Sequence, residues 1–162
     1  NFMLGVCDIF QTFPSFVYLI PVMMLFGVTD TSVLIAVVVY ATIPATRYTI
    51  EGLRSVPSSL HDAASMSGVT KIQRLMKIEF PLAFPHMMLG LNQTIVFALF
   101  MVIIGAFIGT EDLGQYILKA LSDKKGAGIG LTLGLCVAFI GLIFDHLIRT
   151  WVEKRKKHLG ID

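Results

Sequence analysis

Asn92, Gln93 and Thr94 stand in a row near the start of an otherwise apolar run, residues 82–109. Two amides and a hydroxyl can donate and accept hydrogen bonds but carry no charge. The chemistry open to them is recognition or helix joining rather than proton transfer. Two readings fit: a polar lining for a path through the apolar layer or a gate between two copies of the chain, and interhelical hydrogen bonding. Asp145 and His146 lie near the end of another apolar run, where they pair locally or reach toward headgroups. A proton relay needs a partner acid deep in the apolar layer, and the sequence offers none. His61 and His86 fall at the ends of apolar runs and read as solvated. No catalytic residue and no metal site is expected. The chain has no G-x-x-x-x-G-K-[ST] phosphate loop and no metal-ligand cluster, and Cys7 and Cys136 sit far apart in apolar surroundings as packing residues.

The densest polar stretch is residues 62–81, DAASMSGVTKIQRLMKIEFP. Ser58-Ser59 after Pro57 offers an N-cap for a short helix over residues 60–66 that carries Ala63 and Ala64. Gly68 breaks that helix, and Thr70 caps a second over residues 71–78. Its spacing puts Ile72, Leu75, Met76 and Ile78 on one side and Lys71, Arg74 and Lys77 toward water, with Pro81 ending the unit. Taken on physics alone, such a unit fits a basic loop resting on lipid headgroups.

The elements that must hold these residues are set by composition. Apolar residues make up 55% of the chain, charged residues 15%, and mean hydropathy is +0.76, so lipid must cover much of the surface. A net charge of +2 says nothing for nucleic acid, and no nucleic-acid partner is expected. Residues 1–11 read as the end of a span whose beginning is missing. There is no basic stretch with a cleavage site of the signal-peptide kind, and the chain is expected to be the C-terminal part of a longer protein. Apolar runs follow at residues 13–28, 32–45, 82–109 and 128–151. The first two are short against the roughly 20 residues a span needs, so they must tilt or borrow neighbours. Pro14, Pro21 and Pro44 kink or cap them, and Gly130, Gly134 and Gly141 in the last run permit close helix packing. Arg47, Arg54, Lys71, Arg74 and Lys77 precede the third run, and Lys154-Arg155-Lys156-Lys157 follow the fourth. Two spans separate these basic segments, which puts them on one side, and the positive-inside bias makes that side cytoplasmic. The segment 110–127, with Lys119, Lys124 and Lys125 offset by Glu111, Asp112 and Asp123, is then an outer loop.

Ala63-Ala64, three residues, Gly68, nine residues, Ile78, one residue and Phe80-Pro81 resemble the EAA loop of ABC importer permeases, E-A-A-x3-G-x9-I-x-L-P, with Asp62 for the acid and Phe80 for the leucine. The resemblance implies an all-α, polytopic transmembrane fold of the type I ABC importer permease kind, one permease domain over residues 1–162 with its coupling-helix loop at 51–81. It implies that Asp62, Ala63, Ala64 and Gly68 contact an ATP-binding subunit while Ile78 and Pro81 join the lever to the next span. ATP and Mg belong to that partner, so the chain itself holds no cofactor and is not an enzyme. A second likeness narrows the family. Gln11-Thr12-Phe13-Pro14-Ser15-Phe16-Val17-Tyr18-Leu19-Ile20-Pro21 with Met24-Leu25-Phe26-Gly27, then Gly90-Leu91-Asn92-Gln93-Thr94, then Gly109-x3-Leu113-Gly114-Gln115, are similar to glycine betaine/proline betaine permeases of the osmoprotectant group. Choline and carnitine importers are close relatives. The implied partners are an ATPase subunit, a substrate-binding protein or fused domain that meets the outer loop, a second permease copy, and the lipid of a prokaryotic inner membrane. Tyr18, Phe16, Tyr40, Tyr48 and Trp151 read as interfacial anchors rather than a cation-binding cage, because in this family the cage sits on the binding protein. The competing class is a channel or ion-coupled secondary transporter. It predicts buried charge pairs, a filter or mid-membrane breaks, where this sequence has neutral amides.

Overall fold

A computed structural model describes residues 2–110, 113–123 and 126–159, and every regular element among them is helical. The helices are α1 (Phe2–Thr12), α2 (Phe16–Phe26), α3 (Asp30–Arg54), α4 (Ser58–Met66), α5 (Lys71–Arg74), α6 (Phe80–Gly105), α7 (Leu113–Ser122) and α8 (Ala127–Leu159). A π turn, Leu75–Glu79, joins α5 to α6, and a single 3-10 turn, Ala106–Ile108, closes α6. Three stretches are long and apolar enough to cross a membrane: Asp30–Arg54, Lys71–Ile108 and Gly128–Lys157.

The expected span at residues 13–28 is not a single straight crossing. Pro14 and Ser15 interrupt the helix, and α1 and α2 meet at 84° as a bent pair. At 1.5 Å per residue α2 covers about 16 Å, half the hydrocarbon layer. The opposite happens in the next run, where the expected 14-residue span at 32–45 lengthens to the 25 residues of α3, about 37 Å. Along its polar continuation Thr42, Thr46 and Thr49 satisfy their hydroxyls within the helix, on the carbonyls of Val38, Thr42 and Ala45, at 2.6, 2.9 and 2.7 Å. The helix starts where Thr29 accepts from the Ser32 amide, and Ser32 Oγ donates to the Gly27 carbonyl at 2.6 Å.

Helices α3 and α6 pack along most of their length and form the centre of the molecule. The approach is close because glycine faces the partner at three levels. A Cβ on Gly52 would lie 2.8 Å from His86 Cβ, one on Gly90 2.7 Å from Tyr48 Cβ, and one on Gly105 2.7 Å from Val33 Cγ1. The glycines expected to do this in the last span do not. Gly130 and Gly141 make ordinary contacts at 3.4 and 3.5 Å, and Gly134 has nothing within 4 Å. Tyr18, Leu19, Val33, Ala36 and Met101 form the buried apolar cluster, with α2 packed on α3. Tyr18 and Tyr40 belong to this interior rather than to an interfacial belt. Their rings are 5.2 Å apart, Tyr40 stacks on Phe97 at 5.0 Å, and the Tyr18 hydroxyl donates to the Phe10 carbonyl. Helix α8 touches α6 and α7 and leaves Leu131, Leu135, Phe139 and Leu142 exposed, the outward face of a lipid-covered helix. Residues 113–122 of the expected outer loop form α7, an amphipathic helix packed on α8, while Glu111, Asp112, Lys124 and Lys125 lie outside the described residues.

Candidate functional site

The polar unit between α3 and α6 is the two-helix elbow that its sequence spells, with differences at its two prolines, Pro57 and Pro81. Pro57, not a serine, occupies the position before α4, and neither Ser58 nor Ser59 caps it. Thr70 does cap α5, in a reciprocal box. Its hydroxyl accepts from the Gln73 amide at 3.3 Å, and Gln73 Oε1 accepts from the Thr70 amide at 3.0 Å. The elbow is a Schellman turn: Gly68 has φ +68°, the Val69 amide donates to the Ala64 carbonyl at 3.3 Å and the Gly68 amide to Ser65 at 3.2 Å. Only glycine takes that φ without strain.

Pro81 does not end the unit. Helix runs from Lys71 through Ile108 without a stop, with Pro81 inside it. Proline lacks the amide that would bond four residues back and crowds the carbonyl there. The π turn absorbs this, with the Phe80 amide reaching back five residues to the Leu75 carbonyl. The widened register also brings Arg74 and Glu79 together, five apart and poorly placed for pairing on an α-helix. Arg74 Nε donates to Glu79 Oε1 at 2.8 Å, and His61 Nδ1 of α4 lies 3.2 Å from the same oxygen. Glu79 therefore ties both loop helices to the foot of α6. The sequence alone reads His61 as solvated and gives Glu79 no partner, because the link depends on a π register that no propensity announces.

Within the loop Asp62, Ala63 and Gly68 are exposed, Ala64 is buried, and Ile78 and Pro81 are half-buried. The apolar side of the second helix faces open space: Ile72 is 75% exposed and Met76 63%, and Met66 at the end of α4 reaches 91%. The elbow thus leaves small and apolar side chains exposed beside its basic residues.

The amide row is split by the fold. Asn92 is buried and donates through Nδ2 to Asp145 Oδ1 of α8 at 2.6 Å. Asp145 in turn accepts from Arg149 Nε on both oxygens at 2.8 Å, the local pairing its position suggested. Thr94 returns its hydroxyl to the Gly90 carbonyl at 2.8 Å, and Gln93 is half-buried. A second polar junction escaped the sequence reading, where Arg47 counted only as loop charge. It lies within α3, where Nη1 donates to Gln11 Oε1 at 2.6 Å and lies 3.1 Å from Asp8, while Nε donates to Glu51 at 3.0 Å. That cluster pins the bent α1 to the lower part of α3. Only the i,i+4 spacing to Glu51 was visible beforehand. No group of His, Cys, Asp and Glu among the described residues could hold a metal ion.

An all-helical bundle with membrane-length apolar helices and a two-helix polar elbow between two of them defines a polytopic membrane protein. The chain belongs to the family described as binding-protein-dependent transport system inner membrane components, which it matches over residues 1–158. It is 95% identical over 161 residues, 99% of its length, to a protein of Pelagibacter ubique (strain HTCC1062) named as the trimethylamine N-oxide transport system permease protein TmoV. A protein of Ruegeria pomeroyi with the same name is 49% identical over the whole chain. The glycine betaine transport system permease protein OpuAB of Bacillus subtilis is 34% identical over 96% of the chain. The chain spans 22% and 24% of the first two relatives and 54% of the third.

Proposed function

We propose that this chain forms part of the permease subunit of an ATP-driven, binding-protein-dependent importer, and that its solute is trimethylamine N-oxide. The observation that carries the solute is the 95% identity, across 99% of the chain, to a relative named for trimethylamine N-oxide transport. The sequence reading pointed to glycine betaine and proline betaine, and the relatives named for those solutes stand further off, at 34% and 36% identity. The shift is small in chemistry, since both solutes carry a methylated cationic nitrogen and an anionic oxygen.

The elbow supports the driven-transport reading. Asp62, Ala63, Ala64 and Gly68 sit on an exposed, glycine-turned unit whose apolar side chains lack cover, which suits docking into a groove of an ATP-binding subunit. Ile78 and Pro81 stand within the uninterrupted helix Lys71–Ile108, so displacement of the elbow moves that span as a lever. ATP and Mg are bound by the partner, and this chain is a transport subunit rather than an enzyme. A substrate-binding protein or domain, a second permease copy and lipid complete the assembly. The prokaryotic inner membrane is its site, with the elbow and C-terminus cytoplasmic. Asn92 serves as a joint between α6 and α8, and Gln93 and Thr94 remain the part of the row open to a translocation path.

Uptake into vesicles carrying the intact transporter and its binding protein tests both parts. Labelled trimethylamine N-oxide should enter only with ATP on the ATPase side, and unlabelled trimethylamine N-oxide should compete better than glycine betaine. Uptake that is unchanged without ATP defeats the importer reading. Stronger competition by glycine betaine defeats the solute assignment and leaves the importer reading standing.

A further inference from the structure

Arg74 and Glu79 are five positions apart yet meet as residues four apart do on an α-helix, with Arg74 Nε 2.8 Å from Glu79 Oε1. The π turn Leu75–Glu79 has taken in one residue more than an α turn holds. Its effect reaches beyond the pair. Each residue of an α-helix advances about 100° around the axis and about 1.5 Å along it, so absorbing one residue leaves α5 turned by that angle from the α-helical course of the same sequence. On the α-helical course Leu75, not Arg74, stands one turn ahead of Glu79. The π turn therefore decides which face the elbow shows, and the face it shows carries the exposed Ile72 and Met76.

Two features hold the wide turn. Pro81 has no amide for the Lys77 carbonyl and its ring crowds that oxygen, so the α-helical course gains no bond there. Pro85, one turn further on, lies in unbroken α-helix, so a proline alone does not widen the turn. The second feature is the Glu79 clasp, which in the π register collects Arg74 and, at 3.2 Å, His61 Nδ1 of α4. Both loop helices are thereby locked in one phase against a helix that continues without a stop to Ile108.

We propose that the π turn sets the rotational phase of the elbow, and that Pro81 and Glu79 are positioning residues for energy coupling, which aim the face of Ile72 and Met76 at the ATP-binding subunit. The consequence rests on the importer reading above. The elbow drives α6 only if that face meets its groove, and a face turned by about 100° misses it.

Substitution followed by deletion separates phase from local stability. In Pro81→Ala/Glu79→Gln the α-helical course regains its bond and the π register loses its clasp, so the turn should close to α and rotate the elbow. Lys77 is exposed and forms no ion pair among the described residues. Deleting it from the double variant removes the extra residue and should return the elbow to its original phase on a plain α-helix. Spin labels on Cys136 and on Lys71→Cys, in a Cys7→Ser background, read the phase in the purified transporter. Their separation should shift in the double variant by up to about 8 Å, the chord of a turn of about 100° at a helix radius of about 5.5 Å, and should return on deletion. ATP-driven uptake into vesicles should be lost in the double variant while the ATPase still hydrolyses ATP. Uptake should come back with the deletion although the clasp is still missing, a rescue that a merely structural role for Pro81 and Glu79 does not give. An unshifted separation in the double variant overturns the proposal, as does a restored separation without restored uptake. Wild-type uptake that needs no ATP defeats the importer reading instead, and the label separations still decide whether the turn sets the phase.

Discussion

Glu79 gathers Arg74 and His61 on one carboxylate oxygen, so a single side chain joins α4, α5 and the foot of α6. Its side chain is 14% exposed, shielded more than an ordinary surface ion pair, yet Arg74 and His61 are about a third exposed and solvent discounts the pairing. Glu79→Gln should therefore cost about 1 kcal/mol locally. The expected readout is faster amide exchange across residues 58–79 with the transmembrane segments unchanged; unaltered exchange in the loop refutes the tether. Arg47 is the matching case on the other face. Arg47→Ala leaves Asp8, Gln11 and Glu51 without their common donor, and α1 loses its polar hold on α3. Cys7, buried on α1, reports the loss. In a Cys136→Ser background, maleimide labelling of Cys7 should rise clearly in the Arg47→Ala protein. Labelling no faster than in the parent means that packing alone holds the bent pair. Neither residue declares its role in the sequence. Arg47 sits 36 positions from Gln11, and Glu79 acts through a π turn.

At the scale of elements, glycine decides which helices approach most closely. Gly90→Val places a branched side chain where Tyr48 Cβ would be 2.7 Å from the new Cβ, against helix α3 rather than open lipid. Overpacking of this kind costs about 1–3 kcal/mol, and the thermal midpoint of the detergent-solubilised transporter should fall. Gly134→Ala meets nothing within 4 Å, and helix propensity alone favours it by about 1 kcal/mol, so its midpoint should hold or rise. The reverse order of the two midpoints would show that α8, not α3, is the tightly packed neighbour. The sequence shows glycines only by their presence in apolar runs, but contact depends on rotation about the helix axis. That rotation is set by the partner. Prolines divide the same way. Pro14 breaks its helix and produces the 84° bend, while Pro21, Pro44, Pro81 and Pro85 stay inside theirs. The difference lies in whether neighbouring turns can take up the missing amide, as the π turn does ahead of Pro81.

For the whole molecule, the uncovered surface is as informative as the buried one. Along α8 the exposed residues are those of a helix in lipid, but Met66, Ile72 and Met76 are exposed on the polar elbow, where water would otherwise meet them. On the proposed reading an ATP-binding subunit covers them. Met66→Glu should leave the permease inserted and at normal abundance while uptake falls at least tenfold, because a charge in the desolvated contact costs well above 1.4 kcal/mol. Normal ATP-driven uptake by this variant removes Met66 from the contact.

Hydrophobic runs, the basic segments, the Gly68 elbow and the Thr70 cap were legible because each depends on residue type and local spacing, and such signals need no partner. The spacing from Ala63 to Pro81 likewise carried the family. What the chain order could not supply was the bend between α1 and α2, the continuity of helix through Pro81, the aromatic cluster of Tyr18, Tyr40 and Phe97, and the junctions at Arg47 and Asn92. All of these join residues distant in sequence or depend on how one helix is turned against another. Only the packed bundle sets that turn, because it alone decides which polar groups leave lipid together and which must find a partner elsewhere.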